Sequence, residues 1–243
     1  MNIYGKIKSF LDAIKNILFP IRCVNCSQFV DTKGICHSCW KQMTWISDPK
    51  CKICGIPFDT DVYDICPSCL VHKPHFDQAI AVFEYNDTSR GIVVGFKHND
   101  RTYIAKQAAS WMLRSCKEEL RGVNLIVPVP ISFFKRLVRK YNQSELLSLE
   151  LSKLTNIAYI PDVLLKIKNT MQQEGLSGDR RRKNVLGSFG IAVSRKHLLV
   201  DKQILLVDDV FTTGSTVNEC AKVLKKHGAT SVTVITLARV VLR

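Results

Sequence analysis

The chain predicts an α/β fold, a mostly parallel sheet flanked by helices, preceded by a small cysteine-rich module. Three observations carry this expectation. Residues 203–228 read as a buried strand, two adjacent carboxylates, a hydroxyl-rich loop with one glycine, and then a helix. A second apolar run, Leu125-Ile126-Val127-Pro128-Val129-Pro130, has the short continuous character of a central parallel strand and is ended by its prolines. Four C-x-x-C pairs crowd residues 23–69, and two such knuckles complete a tetrahedral Cys₄ zinc site.

In chain order, residues 1–19 read as an amphipathic helix. Ile3, Ile7, Phe10, Leu11, Ile14, Ile17 and Leu18 follow the 3.6-residue period, and Pro20 ends it. Its apolar face suits docking on the rest of the protein; a basic amphipathic helix also suits a membrane surface. The pairs Cys23/Cys26, Cys36/Cys39, Cys51/Cys54 and Cys66/Cys69 follow. Their even spacing suits two structural zinc ribbons in series, with a cross-braced pairing as the alternative. Few apolar residues accompany them, so Zn²⁺ would supply much of the folding free energy. His37, His72 and His75 lie nearby, but four thiolate pairs already suffice. The resulting division is 1–22 helix, 23–72 double ribbon and 73–243 main domain, with the ribbons separable from the rest.

Residues 79–85 alternate toward a strand, and 102–120 read as a helix with Trp111, Met112 and Cys116 in the core. Between them 97–101 form a polar loop, suited either to touching an anionic ligand or to solvent. After the strand at 125–130 comes a basic segment with Lys135, Arg136, Arg139 and Lys140, and Asn142-Gln143 opens a leucine-rich helix. Residues 163–168 and 187–193 are strand-like. They bracket a polar stretch, 169–184, whose basic cluster is Arg180, Arg181, Arg182 and Lys183. A long polar loop inside a compact domain reads as a lid. The last strand spans 231–238.

The totals bound the function classes. A length of 243 residues accommodates one catalytic-size domain plus a small module. A net charge of +14 directs attention to anionic partners: phosphorylated metabolites, nucleic acid or an acidic membrane surface. Eight of ten cysteines sit in C-x-x-C pairs and no signal peptide is recognised, which favours metal in a reducing compartment over disulfides. No apolar run is long enough to span a bilayer.

The stretch Asp208-Asp209-Val210-Phe211-Thr212-Thr213-Gly214-Ser215-Thr216 lies between strand and helix. There, free N–H groups and the positive helix end favour a phosphate. No lysine follows the glycine, so a nucleoside-triphosphate loop is disfavoured. Carboxylates beside a phosphate cradle suit a sugar's hydroxyls, with Mg²⁺ nearby. The stretch closely resembles the motif with which type I phosphoribosyltransferases bind 5-phosphoribosyl 1-diphosphate, PRPP. Combined with the cysteine pairs, the V-P-V-P strand, the Arg139-x-x-Asn142-Gln143 turn and the lid pattern Thr170-x-x-Gln173-x-x-Leu176-Ser177, the chain resembles the ComF family of competence-associated phosphoribosyltransferase-like proteins. The likeness runs from about Cys23 to Arg239.

That resemblance implies a type I phosphoribosyltransferase fold, a cytoplasmic location, and a link to single-stranded DNA handling and competence-machinery proteins during natural transformation. It implies that Asp208 and Asp209 hold the ribose hydroxyls and act in catalysis. It assigns Thr212, Thr213, Gly214, Ser215 and Thr216 to the 5-phosphate. Val129, Pro130, Arg139, Asn142 and Gln143 would face the diphosphate. Thr170, Gln173, Ser177, Arg181 and Asn184 would belong to the closing loop. Two departures stand out: Lys140 and Tyr141 replace the family's usual glycine and phenylalanine, and Met171 replaces a frequent proline. An enzyme using PRPP and Mg²⁺ is one reading, its acceptor unidentified. A non-catalytic PRPP- or DNA-binding module is another, with Trp40, Trp45 and Tyr141 as candidate stacking aromatics. A scaffold for a membrane DNA-uptake complex is a third.

Overall fold

The structure, a computed structural model, describes residues 21–32, 34–98, 101–132, 136–138, 141–168 and 185–241. The expectations for residues 1–19, for Arg139 and for residues 170–184 fall outside that range. A five-stranded parallel sheet forms the centre. Its strands are β1 (Gln78–Glu84), β7 (Ser231–Arg239), β6 (Gln203–Phe211), β2 (Leu125–Pro128) and β3 (Ala158–Tyr159), in that spatial order. A separate antiparallel pair, β4 (Leu164–Lys166) and β5 (Phe189–Ile191), brackets the stretch expected to be a lid.

Side chains alternate across a strand, so a central strand feeds two cores. Leu205 and Val207 of β6 join one buried cluster with Ile126, Ile235 and Leu237. After two short ribbon helices, α1 (His37–Gln42) and α2 (Pro67–Val71), come three helices that contribute residues to that cluster: α3 (Asp87–His98), α4 (Ile104–Ser115) and α5 (Gln143–Thr155). Ile204 and Leu206 join the other with Val232, Val234 and the apolar stripe of α6 (Ser215–Lys226). Trp111, Met112 and Cys116 are buried as expected.

Four local readings need correction. The strand at 203–207 continues to Phe211, because β7 stays paired alongside it as far as Arg239. The two carboxylates therefore lie in the strand, not after it. Residue 97 lies in a helix, not in a polar loop: α3 runs through His98. Its glycines hid it, and Gly91 is there because Asn25 of the first ribbon packs where a Cβ would stand. The helix expected over 102–120 is shorter, ending at Ser115 in turns. Finally, the second ribbon is packed into the main domain. Cys51, Cys54, Cys66 and Cys69 share a buried cluster with Phe76, Val129, Phe211 and Val217. The ribbon segment also covers the free edge of β1: Glu84 N–H donates to Thr44 O at 2.9 Å, and Ala79 N–H to Ile53 O at 2.7 Å.

Candidate functional site

The site is built where the central strand outlasts its neighbour. β2 ends its pairing at Pro128, opposite Val207, whereas β6 runs on to Phe211 along β7. Asp208 and Asp209 occupy the step so formed. Ser144 Oγ donates to Asp208 Oδ1 at 3.0 Å, and the Asp209 N–H donates to the same oxygen at 2.9 Å. Lys97 Nζ lies 3.0 Å from Asp209 Oδ2. Burial, then the neighbouring Asp209 carboxylate, push the Asp208 carboxyl up to about 7, against the pull of the Asp209 N–H, Ser144 and Lys97. A carboxyl poised there releases its proton readily when a cation or sugar hydroxyl arrives.

Thr212 and Thr213 follow, both exposed. Gly214 adopts φ 74°, ψ 0° as the cap of α6. A Cβ there would stand 2.5 Å from Phe211 Cζ, so both the left-handed backbone and the aromatic beneath demand glycine. Thr213 and Ser215 share a hydroxyl contact of 2.8 Å. Ser215 and Thr216 form the first turn, whose N–H groups lack intrahelical acceptors and so face any anion above the loop.

The turn after β2 is tied to the carboxylates. Val129 N–H donates to Val207 O at 2.9 Å, which aligns Val129 and Pro130 with the end of β6. Asn142 caps α5: its Oδ1 accepts from the Ser144 N–H at 3.1 Å and its Nδ2 donates to Val129 O at 3.0 Å. Gln143 Nε2 donates to Phe96 O at 3.3 Å. Both side chains are buried and their amide nitrogens are engaged with backbone carbonyls. They shape the turn and seat Ser144 on Asp208. Tyr141 likewise spends its hydroxyl on Phe96 O at 2.8 Å.

Both cysteine groups fit zinc. Cys23, Cys26, Cys36 and Cys39 converge with all sulfurs within 4.8 Å of one another, and so do Cys51, Cys54, Cys66 and Cys69. The separations Cys26 Sγ to Cys36 Sγ and Cys54 Sγ to Cys66 Sγ are both 3.7 Å. Tetrahedral Zn–S bonds of about 2.3 Å put sulfurs about 3.8 Å apart. Backbone N–H groups support the sulfurs: Cys36 to Cys23 Sγ at 3.2 Å, and Cys66 to Cys51 Sγ at 3.3 Å. The Ser38 hydroxyl and the Cys39 N–H bring the Cys36 thiol down to about 6, toward the ligating thiolate. The sites run in series, not cross-braced, and no histidine among the described residues joins either group.

Comparison with known proteins agrees with this geometry. The double zinc ribbon domain family matches residues 14–70, and the phosphoribosyl transferase domain family matches residues 131–240. Competence protein F of Haemophilus influenzae is 32% identical over 228 residues, covering 91% of this chain and 98% of that protein. The chain belongs to the competence protein F family. Two further relatives share somewhat less identity with the chain. DNA utilization protein YhgH of Escherichia coli K12 is 29% identical, covering 85% of this chain and 90% of that protein. Competence protein ComFC of Bacillus subtilis is 26% identical, covering 84% of each. Among solved structures, the glutamine PRPP amidotransferase of B. subtilis matches with a TM-score of 0.39 at 20% identity, over 59% of this chain and 30% of that one.

The family's fold is thus present: a phosphoribosyltransferase domain carrying an N-terminal double zinc ribbon. No helix among the described residues is long and apolar enough to cross a membrane. Several residues at the site were not joined to the carboxylates by sequence reading, which gave Lys97 only as part of a loop that could meet an anion. Lys97 and Ser144 reach the carboxylates from α3 and α5. Lys166 of β4 lies within electrostatic reach of Asp208, and its burial holds its ammonium below the usual range. Glu219 and Arg239 line a cleft of about 440 Å³ between the 212–216 loop and the second ribbon, with Phe76, Phe211 and Asn218. None of these belongs to a local motif. Trp45 is corrected as a stacking candidate: it is packed against Trp40, Phe83 and Trp111, while Trp40 stays 45% exposed.

Proposed function

We propose that the chain binds PRPP with Mg²⁺ and transfers or cleaves its phosphoribosyl unit, in the service of single-stranded DNA handling. The observation that carries this reading is the pair Asp208–Asp209 at the end of β6, followed within one turn by a left-handed Gly214 at the start of α6. Asp208 and Asp209 would accept from the ribose hydroxyls, and Thr212 to Thr216 would hold the 5-phosphate. The turn after Val129 and Pro130, with Arg139, Asn142 and Gln143 shaping it, would lie toward the diphosphate. Residues of the 169–184 loop, among them Thr170, Gln173, Ser177, Arg181 and Asn184, would close over it.

Mg²⁺, when bound, would offset the diphosphate charge. The chain's own part is to fix the ribose and exclude water while the C1–oxygen bond breaks and diphosphate leaves with the electron pair. The acceptor's lone pair forms the new bond from the face opposite the leaving group. Glu219, the carboxylate among the described residues that lines the cleft beside the 212–216 loop, would take the acceptor's proton through Oε2, its Oε1 accepting from the Gly187 N–H at 2.9 Å. Water as acceptor would give cleavage in place of transfer.

A second reading, a binding module without catalysis, draws on the net charge of +14 and on relatives named for competence and DNA utilization. Incubating pure protein with PRPP and Mg²⁺, with and without candidate acceptors or single-stranded DNA, and following diphosphate decides between them. Release above the uncatalysed rate, abolished in Asp208→Asn, supports the enzyme. Calorimetric PRPP binding with no diphosphate release supports the binder. No PRPP binding at all rejects both PRPP readings.

A further inference from the structure

The second zinc ribbon reaches the phosphate loop through two stacked side chains. Arg239, the last residue of β7, is 6% exposed. Its Nη1 donates to Cys54 O at 2.5 Å and its Nη2 to Cys54 Sγ at 3.7 Å. The guanidinium lies 4.3 Å from the centroid of the Phe211 ring. Strand register places the two residues opposite one another, Phe211 beside Arg239. Phe211 in turn meets Phe76 edge-on at 6.1 Å and fills the space beneath Gly214 so closely that a Cβ would collide with its ring. An unbroken line of contacts therefore runs from a zinc ligand, Cys54, through Arg239 and Phe211, to the left-handed residue that shapes the phosphate loop.

The electrostatics give the line a direction. A buried guanidinium is costly unless it is paired. Arg239 Nε finds no hydrogen-bond partner, so its guanidinium is held by the Cys54 carbonyl and sulfur alone among the described hydrogen-bond acceptors. Four thiolates around Zn²⁺ carry a net negative charge and hold Cys54 Sγ as a fixed acceptor. Four protonated thiols do neither. Among the described residues the first ribbon instead packs on α3 at Gly91, and none of its cysteines borders the cleft.

We propose that Arg239 is a positioning residue that makes the phosphate loop depend on metal at the second ribbon. Zinc held by Cys51, Cys54, Cys66 and Cys69 anchors Arg239, Arg239 presses on Phe211, and Phe211 holds the turn at Gly214. The ribbon is in this sense part of the site. The dependence of PRPP affinity on this line rests on the PRPP reading above; the order of the loop does not.

The test compares the full-length wild type with Arg239→Lys, which keeps the charge but loses the two-pronged donor and the flat stack. Leu199→Ala serves as a control. It thins the same buried cluster just before β6 begins, at the opposite end of that strand from Phe211. Three readouts apply: zinc content, amide hydrogen exchange over 211–217, and PRPP–Mg²⁺ affinity. The proposal expects Arg239→Lys to retain its zinc, to exchange faster over 211–217 by about tenfold, and to bind PRPP about tenfold more weakly. Leu199→Ala should leave loop exchange and affinity near wild type. A spectroscopic arm uses Co²⁺-loaded protein. PRPP–Mg²⁺ should shift the Co²⁺–thiolate absorption of the wild type and not of Arg239→Lys. Unchanged loop exchange in Arg239→Lys, or equal acceleration in Leu199→Ala, overturns the proposal. If the wild type binds no PRPP, the PRPP reading fails on its own, and the exchange experiment still decides the coupling.

Discussion

Replacing Asp208 by asparagine separates the chemistry of the site from the stability of the fold, because the two should move in opposite directions. The Asp208 carboxyl ordinarily ionises at 3.8 and is pushed up to about 7 by burial and by Asp209. A group that holds its proton more tightly in the folded state favours folding at low pH and penalises it at high pH. The penalty begins near the unfolded value, grows as pH rises through the window from 3.8 to about 7, and is complete above it. A difference of about three pH units at 1.36 kcal/mol each gives a ceiling of about 4 kcal/mol near pH 8, and about 2 kcal/mol near pH 5.5. Asparagine carries no charge, and its Oδ1 can still accept from the Ser144 hydroxyl and the Asp209 N–H. Asp208→Asn should therefore be more stable than wild type near pH 8 by about 2–4 kcal/mol, roughly 5–10 °C in melting temperature for a chain of this size. The gain should shrink by about half near pH 5.5. In the same variant PRPP affinity should fall by about tenfold or more, since a charged hydrogen bond contributes about 1.5–3 kcal/mol. Denaturant unfolding at the two pH values, with zinc content measured alongside, makes the comparison. A variant no more stable than wild type near pH 8, or one whose gain is independent of pH, would refute the ionisation argument. Unchanged PRPP affinity would remove Asp208 from the site.

Four further outcomes are expected. Gly214→Ala should weaken binding of PRPP, or of inorganic phosphate as a probe, by more than tenfold, because a side chain at φ 74° meets the Phe211 ring; retained affinity by calorimetry would place the phosphate elsewhere. Metal analysis of protein purified without chelator should find two zinc ions per chain, one per four-cysteine group; well under one would contradict both ribbons. Lys97→Met should leave Asp209 without its cation and lift the Asp208 carboxyl further, moving the pH midpoint of PRPP binding upward; an unmoved midpoint would show that Lys97 does not act on the carboxylates. Labelled single-stranded DNA should bind with a salt slope near −0.7 per neutralised phosphate. Competition by saturating PRPP–Mg²⁺ would locate that DNA on the 169–184 side, indifference to it would locate the DNA elsewhere, and no binding at low salt would remove the DNA role.

Local chemistry was readable in the one-dimensional string. Adjacent C-x-x-C knuckles announce metal because two thiols on one turn already share a geometry. The run from Asp208 to Thr216 was legible as strand end, glycine turn and helix start because the three are contiguous and short-range sterics decide them. The central strands were legible as continuous apolar runs because both faces of the sheet are covered. What tertiary structure alone decided is which distant residues meet that motif. Parallel strands are joined by long crossovers, so neighbours in the sheet are remote in the chain: β1 beside β7, and Phe211 beside Arg239. Lys97, Ser144, Lys166, Glu219 and Arg239 are ordinary residues at unremarkable positions until the sheet order brings them to the end of β6. The same distance hid α3, whose Gly91 is explained only by Asn25 of the ribbon filling the space that a side chain would have taken. It also concealed that the second ribbon is no appendage. The Cys54 carbonyl and sulfur acquire their meaning from a guanidinium that lies far along the chain but within hydrogen-bond reach in the fold.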